Sequence, residues 1–430
     1  MNIRKRGLIS LALIICLGLA GAAGAERSPE IISVLKTGAN IALAEKMGLD
    51  RLMEKDGRIF IVARPDDITR LSALGVPFAV ETSLFAAARP GEVGIAGGTN
   101  GAFHTYAELD ADLKSLQSAH PGIVRIFSLG TSLENRAIYA AKISDNVAAD
   151  EDEAEVLFLG CHHAREWISV EIPFLLARYL AENYDRDPGI RALVDRSEIW
   201  IVPLVNPDGL EYSINVYRYW RKNRRANGDG SFGVDINRNY AYMWGFDDQG
   251  SSPEPQSEIY RGPSPFSEPE ARAVRDLFLS RPFQAVVSYH SYSQSILYPW
   301  GFIDSPTGKD TLLRGLGLEM ADLIEPVNGR SYTCGRAAST LYTTNGDAVD
   351  WTFGVAGVPS YTIELPPMDS YHGGFVNAEN DIDALFRENL PAMLRLVGYA
   401  VAGTGEAADA GRERASSKGQ KVEKSARLLK

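Results

Sequence analysis

The sequence predicts an α/β protein whose mixed, mostly parallel sheet is covered by helices on both faces. Six short, nearly continuous apolar runs have the composition of strands that are buried on both faces. Longer segments with helical patterns, such as 166–184, lie between these runs, and this alternation is typical of a layered α/β fold. The candidate strands are 123–129, 137–143, 155–161, 199–205, 283–289 and 360–364. A further helix is expected after Ser267, because Glu270 three positions later completes a capping-box pattern.

A smaller α/β unit is predicted at residues 26–85. The segments "IISVLK", "GRIFIVARP" and "VPFAVE" have strand patterns, and "DDITRLSALG" has the pattern of a short helix. Residues 86–102 are rich in Gly and Ala without periodicity, so we expect a linker in which Arg89 is open to proteolytic processing. The main domain is then 103–403. Residues 404–430 contain no aromatic side chain and are expected to form a disordered tail.

Residues 1–25 have the three-part pattern of a secretory signal peptide. Three basic residues near the start are followed by an apolar stretch at 8–19 and by Ala23-Gly24-Ala25, an A-x-A cleavage site. The alternative is a retained membrane anchor, since the apolar stretch approaches spanning length. The signal is favoured because the cleavage site follows directly and no second apolar span exists. We therefore expect a secreted or periplasmic protein.

The charge of the chain excludes some classes of partner. Removal of residues 1–25 would take away three positive charges and no negative ones, which changes the net charge from −11 to −14. So acidic a chain argues against binding to nucleic acid or to an anionic membrane. Cys161 and Cys334 would be the remaining cysteines; a disulfide between them and two buried thiols are both compatible with the sequence.

Polar residues with metal-binding chemistry follow three of the candidate strands. His163 and Glu166 come after one strand, His290 after a second and Glu364 after a third. In open α/β sheets the carboxyl ends of the strands form the ligand-binding crevice, so these side chains are expected to share one pocket. Two imidazoles and one carboxylate suit a zinc ion that keeps a fourth position open for water. Alone, the H-x-x-E spacing is a weak signal.

Seven motifs together identify a family. Across residues 103–403, the chain resembles the zinc metallocarboxypeptidases of the carboxypeptidase A/B type. The motifs that carry this resemblance occur in the order and approximate spacing of the family. The motifs are "HAREWIS", "NPDG", "RYWRKNR", "GVDINRNY", "YHSYSQ", "LYTTNGDAVDW" and "YTIEL". The resemblance implies a carboxypeptidase-like fold with one Zn²⁺ bound by His163, Glu166 and His290. Carboxypeptidase A is a standard example of such a His₂Glu site, and His162 matches a position that is not a ligand in the family.

The resemblance also implies the roles of the other site residues. Glu364 would be the general base for a zinc-activated water that hydrolyses the last peptide bond. Arg221 would stabilise the developing oxyanion, and Asp235 would orient His163. The residues that match substrate-binding positions are Arg165, Arg218, Asn237, Arg238 and Tyr342.

The same match predicts the preferred terminal residue. Val349 falls at the base of the specificity pocket, and Gly301, Ala337 and Thr344 fall at other pocket positions, which favours an apolar or aromatic terminal side chain. Asp347 lies two residues from Val349 and leaves a preference for Lys or Arg open.

The position of the amino-terminal unit resembles that of the activation segment in family precursors. It would then block the site until a protease cuts the linker; the alternative is a folding aid or an accessory domain. We expect a monomer that acts on peptide or protein C-termini. Two other functions stay open: a zinc amidase that trims cell-wall peptides, and a non-catalytic binding protein on the same scaffold.

Overall fold

The computed structural model describes residues 30–47, 49–55, 57–63, 65–81, 100–369 and 372–411. The predicted signal segment, nearly all of the predicted linker and residues 412–430 lie outside the described residues. None of the described helices is both long and apolar enough to cross a membrane.

The amino-terminal unit is a four-stranded antiparallel sheet with two helices. Its strands lie in the order β2-β3-β1-β4. Strands β1, β3 and β4 and helix α2 confirm the sequence prediction, which missed α1 and β2. The elements are β1 Glu30–Leu35, α1 Gly38–Lys46, β2 Asp50–Lys55, β3 Arg58–Ala63, α2 Pro65–Ala73 and β4 Phe78–Val80.

The main domain contains an eight-stranded mixed sheet in the order β11-β10-β12-β9-β7-β8-β6-β5. Its central strands β8, β7, β9 and β12 are parallel, and antiparallel pairs occur toward the edges. The strands are β5 Val124–Thr131, β6 Ala137–Ile143, β7 Ala154–Gly160, β8 Ser197–Val202, β9 Ala285–Ser291, β10 Ser295–Tyr298, β11 Thr333–Arg336 and β12 Ser360–Leu365. All six predicted strands are present, and β10 and β11 were not predicted.

Helices cover both faces of this sheet, so the predicted fold class is confirmed. One face packs against a large core that includes α3, α4, α8 and α11, and the other against a smaller core that includes α7 and α10. The helices are α3 Tyr106–Ala119, α4 Ile168–Asn183, α5 Pro188–Val194, α6 Pro207–Asn215, α7 Pro269–Ser280, α8 Asp310–Asn328, α9 Ala337–Thr340, α10 Ala348–Ala356 and α11 Asp381–Gly411.

Two expectations about helix ends differ from the structure. The capping box at Ser267 is wrong: α7 begins at Pro269, its N-cap is Glu268, and no side chain caps it. Pro269 supplies the fixed φ of a first helical residue, which sets the start of the helix without a capping hydroxyl. Helix α11 continues through Gly411, into the segment that was expected to be a disordered tail.

The end of β7 depends on a glycine that approaches another backbone closely. A Cβ at Gly160 would lie 2.2 Å from the carbonyl oxygen of Ser169 and 2.8 Å from that of Pro203. The Ser169 carbonyl belongs to the first turn of α4, so Gly160 lets the strand and the following helix meet. The metal-ligand candidates His163 and Glu166 lie in the short connection between them.

Gly160→Ala is expected to destabilise the protein by about 1–3 kcal/mol, because the new methyl group would overlap backbone atoms that cannot rotate away. Urea unfolding measures the change. Gly122→Ala is the matched control, since a Cβ there meets nothing within 4 Å, and it should be near neutral. Equal stability of the two variants would contradict the close approach.

A partly buried ionic contact connects the start of the main domain to α4. Nδ1 of His104 lies 2.7 Å from Oε2 of Glu171, and the His104 backbone N–H donates to Oε1 of the same carboxylate at 2.8 Å. Nε2 of His104 lies 3.1 Å from Oδ2 of Asp112. Burial alone would lower the pKa of His104, but the two carboxylates outweigh it and raise the pKa to about 9.

This contact predicts a pH dependence of stability. Because the folded-state pKa lies above the unfolded value of 6.5, the stabilisation is complete below pH 6.5 and is lost as pH rises through about 9. It should be on the order of 2–3 kcal/mol. Urea unfolding of wild type and His104→Gln between pH 6 and 9.5 measures it: the difference should shrink as pH rises. A constant difference would contradict an imidazolium at this position.

Candidate active site

The connection after β7 places the first two metal-ligand candidates. Cys161 has a φ of 52°, a left-handed conformation that turns the chain sharply away from the strand. Its N–H donates to Oγ of Ser169 at 3.1 Å, and its carbonyl accepts from the N–H of Asn206 at 3.1 Å. His163 and Glu166 then lie in a turn in which the Glu166 N–H donates to the His163 carbonyl at 3.2 Å. Cys161 and Cys334 are both free thiols, so the disulfide is not formed.

The side chains of His163, Glu166 and His290 converge on one buried point. Nδ1 of His163 lies 2.8 Å from Oε1 of Glu166, and Nδ1 of His290 lies 3.0 Å from Oε2 of the same carboxylate. The two Nδ1 atoms are 3.1 Å apart. His290 lies in β9, which is the direct neighbour of β7 in the sheet. The sequence prediction that these three residues share a pocket therefore agrees with the geometry.

The outer nitrogens of the two imidazoles have partners of their own. Nε2 of His163 lies 3.2 Å from Oδ1 of Asp235, and Nε2 of His290 lies 3.0 Å from Oγ of Ser288. A proton on each Nε2 would leave both Nδ1 lone pairs directed at the shared point. Two imidazole nitrogens and a carboxylate are the donor set of a catalytic zinc site, and the arrangement fits one zinc ion.

His162, the neighbour of His163, is directed elsewhere. Its Nε2 lies 2.8 Å from the hydroxyl of Tyr240, and its Nδ1 lies 3.2 Å from Oγ of Ser288. Burial, with the nearby His290 and His163, lowers the pKa of His162 well below its ordinary value. His162 is therefore a neutral imidazole whose two nitrogens both have partners away from the converging point.

Asp235 connects the metal-ligand candidates to Arg221. Its Oδ2 accepts from Nε and Nη2 of Arg221 at 3.0 and 2.9 Å, while its Oδ1 contacts His163. Burial would raise the pKa of Asp235, but the charges of Arg221 and Arg238 and the hydrogen bond to His163 lower it well below its usual range. A permanently ionised carboxylate thus holds two site residues in place.

Several buried guanidinium groups surround this centre. Burial and the charge of Arg221 lower the pKa of Arg165 to about 10, and burial with the charge of Arg165 lowers that of Arg218 to about 9. Arg165 stacks on Phe375, with 3.8 Å between the guanidinium carbon and the ring centroid. Clustered cations that repel one another in a buried site favour the binding of an anion, such as a substrate carboxylate.

The candidate carboxylate clamp lies in a 3₁₀ turn, Ile236–Arg238, that is capped by Asp235. Oδ1 of Asn237 accepts from the Ala348 N–H at 3.0 Å, and Nε of Arg238 donates to the Gly250 carbonyl at 2.8 Å. Both side chains are buried. Arg218 is also held by backbone carbonyls: its two terminal amino groups donate to the carbonyls of Arg165 and Phe375 at 2.6 and 2.7 Å.

Glu364 lies beside His290 because β12 runs parallel to β9, with these two residues in register. Burial and the negative charge of Glu166 raise the pKa of Glu364 well above its ordinary value, against the opposing charges of Arg221, Arg165 and Arg238. A carboxylate whose pKa lies closer to neutrality is a stronger proton acceptor than a free one.

Gly301 and Thr344 of the predicted specificity pocket lie together with Asp347. A Cβ at Gly301 would lie 2.3 Å from Oγ1 of Thr344 and 3.0 Å from Oδ2 of Asp347. Asp347 caps α10, accepting from the Asp350 N–H at 2.8 Å, and its other oxygen accepts from the Thr344 hydroxyl at 2.6 Å. Val349 is buried in the first turn of this helix. Tyr342, unlike the buried Val349, lies in the loop before α10 with 47% of its surface exposed.

Sequence reasoning missed the contacts of Ser288 and Tyr240. Ser288 precedes His290 by two residues in β9, so both side chains lie on the same face of the strand. That spacing could have identified Ser288 as a partner of the histidine. Tyr240 has no comparable signal, because its contact with His162 joins residues 78 positions apart.

His163→Ala is expected to abolish zinc retention, because it removes one of three ligand atoms from the converging point. Zinc content of the purified protein, measured by mass spectrometry of the metal, tests this. His120→Ala is the control: this histidine is the C-cap of α3, and its replacement should leave the zinc content unchanged. Zinc retained at wild-type levels by His163→Ala would contradict the site.

Comparison with known proteins gives the family of this chain. Residues 109–392 match the family model described as zinc carboxypeptidase. The zinc carboxypeptidase of Saccharothrix mutabilis subsp. capreolus is 33% identical over 411 residues, which cover 87% of this chain and 92% of the relative. Carboxypeptidase B of Astacus astacus is 34% identical over 286 residues, or 65% of this chain and 91% of the relative.

A solved structure gives the same result for the fold. The crystal structure of carboxypeptidase A from Helicoverpa armigera superposes with a TM-score of 0.72 at 25% identity, covering 89% of this chain and 99% of that one. The match spans the amino-terminal unit as well as the main domain, since the main domain alone is too short for that coverage. The chain therefore belongs to the zinc carboxypeptidase family of metallopeptidases.

Proposed function

We propose that this chain hydrolyses the C-terminal peptide bond of peptides and proteins with zinc held by His163, Glu166 and His290. The observation that carries the proposal is the convergence of these three buried side chains beside Glu364. Zinc bound there would polarise the scissile carbonyl and lower the pKa of a coordinated water toward about 7.

Glu364 is the proposed general base. It accepts a proton from the water that attacks the scissile carbonyl, and it passes that proton to the amine that leaves. Its buried position and raised pKa support this role, because the same carboxyl group must both take and return a proton.

Arginines provide the proposed electrostatic part of the mechanism. Arg221, held by Asp235, donates hydrogen bonds to the carbonyl oxygen as negative charge develops on it. Asn237 and Arg238 bind the terminal carboxylate of the substrate, with Arg165 and Arg218 as auxiliary cations. Tyr342 then closes over the bound substrate, and its exposed position in a loop is consistent with such a movement.

We propose a preference for apolar or aromatic terminal residues. Val349 is a buried apolar residue at the proposed base of the pocket, where a basic-specific pocket would need a negative charge. The opposing feature is Asp347. Both of its carboxylate oxygens already accept hydrogen bonds, which makes it a weaker attraction for a cationic side chain than a free carboxylate would be.

The amino-terminal unit is proposed to keep the enzyme latent. Its Ile31, Phe60 and Val62 share a buried cluster with Tyr217, Trp220 and Phe375 of the main domain, together with Ala164, which lies between His163 and Arg165. Access to the site would then require cleavage of the linker by a protease. The signal pattern at residues 1–25 supports secretion or export to the periplasm.

Two alternatives make different predictions about substrates. A cell-wall amidase would release amino acids only from stem peptides that contain D-residues. A non-catalytic binding protein is disfavoured, because neither a ligand candidate nor Glu364 has been replaced.

Glu364→Gln is expected to lower kcat by about 10²–10⁴-fold with zinc content unchanged, because the amide cannot accept the proton. The assay is single-residue release from blocked peptides by protein whose zinc content has been measured. Glu379→Gln is the matched control, being a glutamate that lies outside the site, and it should keep wild-type activity. Near-wild-type turnover by zinc-loaded Glu364→Gln would refute the assigned base.

A panel of blocked dipeptides should show preferred release of Phe or Leu and little release of Lys or Arg. Cleavage should be sensitive to a chelator and faster after the linker is cut. Val349→Asp should shift the preference toward Lys and Arg, because it adds a carboxylate without prior partners to the pocket.

Two other outcomes would contradict this assignment. If wild type prefers to release Lys and Asp347→Asn loses that preference, Asp347 determines the specificity. Release only from D-residue stem peptides would support the amidase.

A further inference from the structure

Four buried groups form a continuous chain of contacts that starts at His290. Nε2 of His290 lies 3.0 Å from Oγ of Ser288, which lies 3.2 Å from Nδ1 of His162. Nε2 of His162 then lies 2.8 Å from the hydroxyl of Tyr240. All four side chains are buried, so water does not compete for these contacts. We call this chain the His290–Tyr240 relay.

The relay has one consistent direction when His290 is a metal ligand. If Nδ1 of His290 gives its lone pair to a cation, the ring proton must be on Nε2, and Ser288 accepts it. The Ser288 hydroxyl then donates to Nδ1 of His162, which requires the His162 proton to be on Nε2, where it is donated to Tyr240. The competing contact, from Nδ2 of Asn237 to Nε2 of His290, is longer at 3.5 Å.

Packing fixes the relay at both ends. The His162 ring lies nearly parallel to that of His290, at an angle of 15° with centroids 5.6 Å apart. At the other end, the Tyr240 ring contacts Phe266 and Trp351, with both centroid distances 5.7 Å. The Tyr240 N–H donates to the carbonyl of Gly346 at 2.9 Å. The far end of the relay is thus anchored in the smaller core.

We propose that His162 is a positioning residue of the zinc centre. Through Ser288, His162 fixes the tautomer and ring orientation of His290, and Tyr240 holds the His162 ring in place. The inference rests on the proposed zinc site. An apolar residue at 162 would fill the same space, but it would leave the buried hydroxyl of Ser288 without its acceptor. Residues that orient metal-bound histidines in this way typically change metal affinity by about 10–100-fold when they are replaced.

The test is the zinc dissociation constant of the full-length chain, measured by competition with a chromophoric chelator. His162→Leu and Ser288→Ala should each weaken zinc binding at least about tenfold. The zinc affinity of the double variant should equal that of the single variant that binds zinc less tightly, because both substitutions break the same series of contacts. His162→Gln should recover part of the loss, because its amide can both accept from Ser288 and donate to Tyr240. The visible absorption of the Co²⁺-substituted protein should change in the same variants.

Ser360→Ala is the matched control. This serine is equally buried, on the adjacent strand β12, but it bonds to Thr352 and the Val358 carbonyl, and its loss should leave zinc affinity within about twofold of wild type. If circular dichroism shows that His162→Leu does not fold, the zinc affinities of Ser288→Ala and Ser360→Ala are compared instead, and only Ser288→Ala should be weaker. Wild-type affinity in the relay variants, or losses that simply add, would overturn the inference.

The same titration separates this inference from the proposed function. Zinc binding by wild type that is lost in His163→Ala, with unchanged affinity in the relay variants, would overturn the role of His162 alone. Absence of zinc binding by wild type would overturn both.

Discussion

The structure depends on a cluster of buried groups that needs a cation at its centre. His163 and His290 direct nitrogen atoms at each other across 3.1 Å, and Glu166 contacts both. Without a cation, these groups would have to share protons in a site from which water is largely excluded. The sheet imposes this arrangement, because His163 and Glu166 follow the carboxyl end of β7 and His290 lies near the carboxyl end of the adjacent β9.

Negative and positive charges around this cluster are placed in alternation. Asp235 contacts a ligand candidate with one oxygen and Arg221 with the other, so one carboxylate sets the orientation of both. Beyond Asp235, the guanidinium groups of Arg165, Arg218 and Arg238 add positive charge, and those of Arg218 and Arg238 donate to backbone carbonyls. Burial, together with the repulsion between neighbouring guanidinium groups, lowers the pKa values of Arg165 and Arg218.

The sequence predicted the layered fold and the metal-ligand candidates because both leave strong local patterns. Continuous apolar runs identified the central strands, and polar residues directly after those runs identified the edge where the site lies. Strands β10 and β11 escaped prediction because each has only four residues, too few for a pattern. The capping box at Ser267 failed because Pro269 determines where α7 begins. Tyr240 could not be found, since its contact with His162 exists only after the main domain has folded.

The adjacent residues His162 and His163 illustrate the difference between a candidate metal ligand and a residue that positions a ligand. Spacing to Glu166 favoured His163, and the contacts show how its neighbour is occupied: His162 faces Ser288 and Tyr240 instead. Adjacent residues of one type can thus take different parts in one site, because the sharp turn at Cys161 directs successive side chains to different sides.

The most direct measurement is anomalous X-ray scattering at the zinc absorption edge from crystals of the full-length protein. One strong peak is expected about 2.0–2.2 Å from Nδ1 of His163, Nδ1 of His290 and the Glu166 carboxylate. A peak at His162, or one only at the acidic group of Asp145, Glu151 and Glu153, would contradict it.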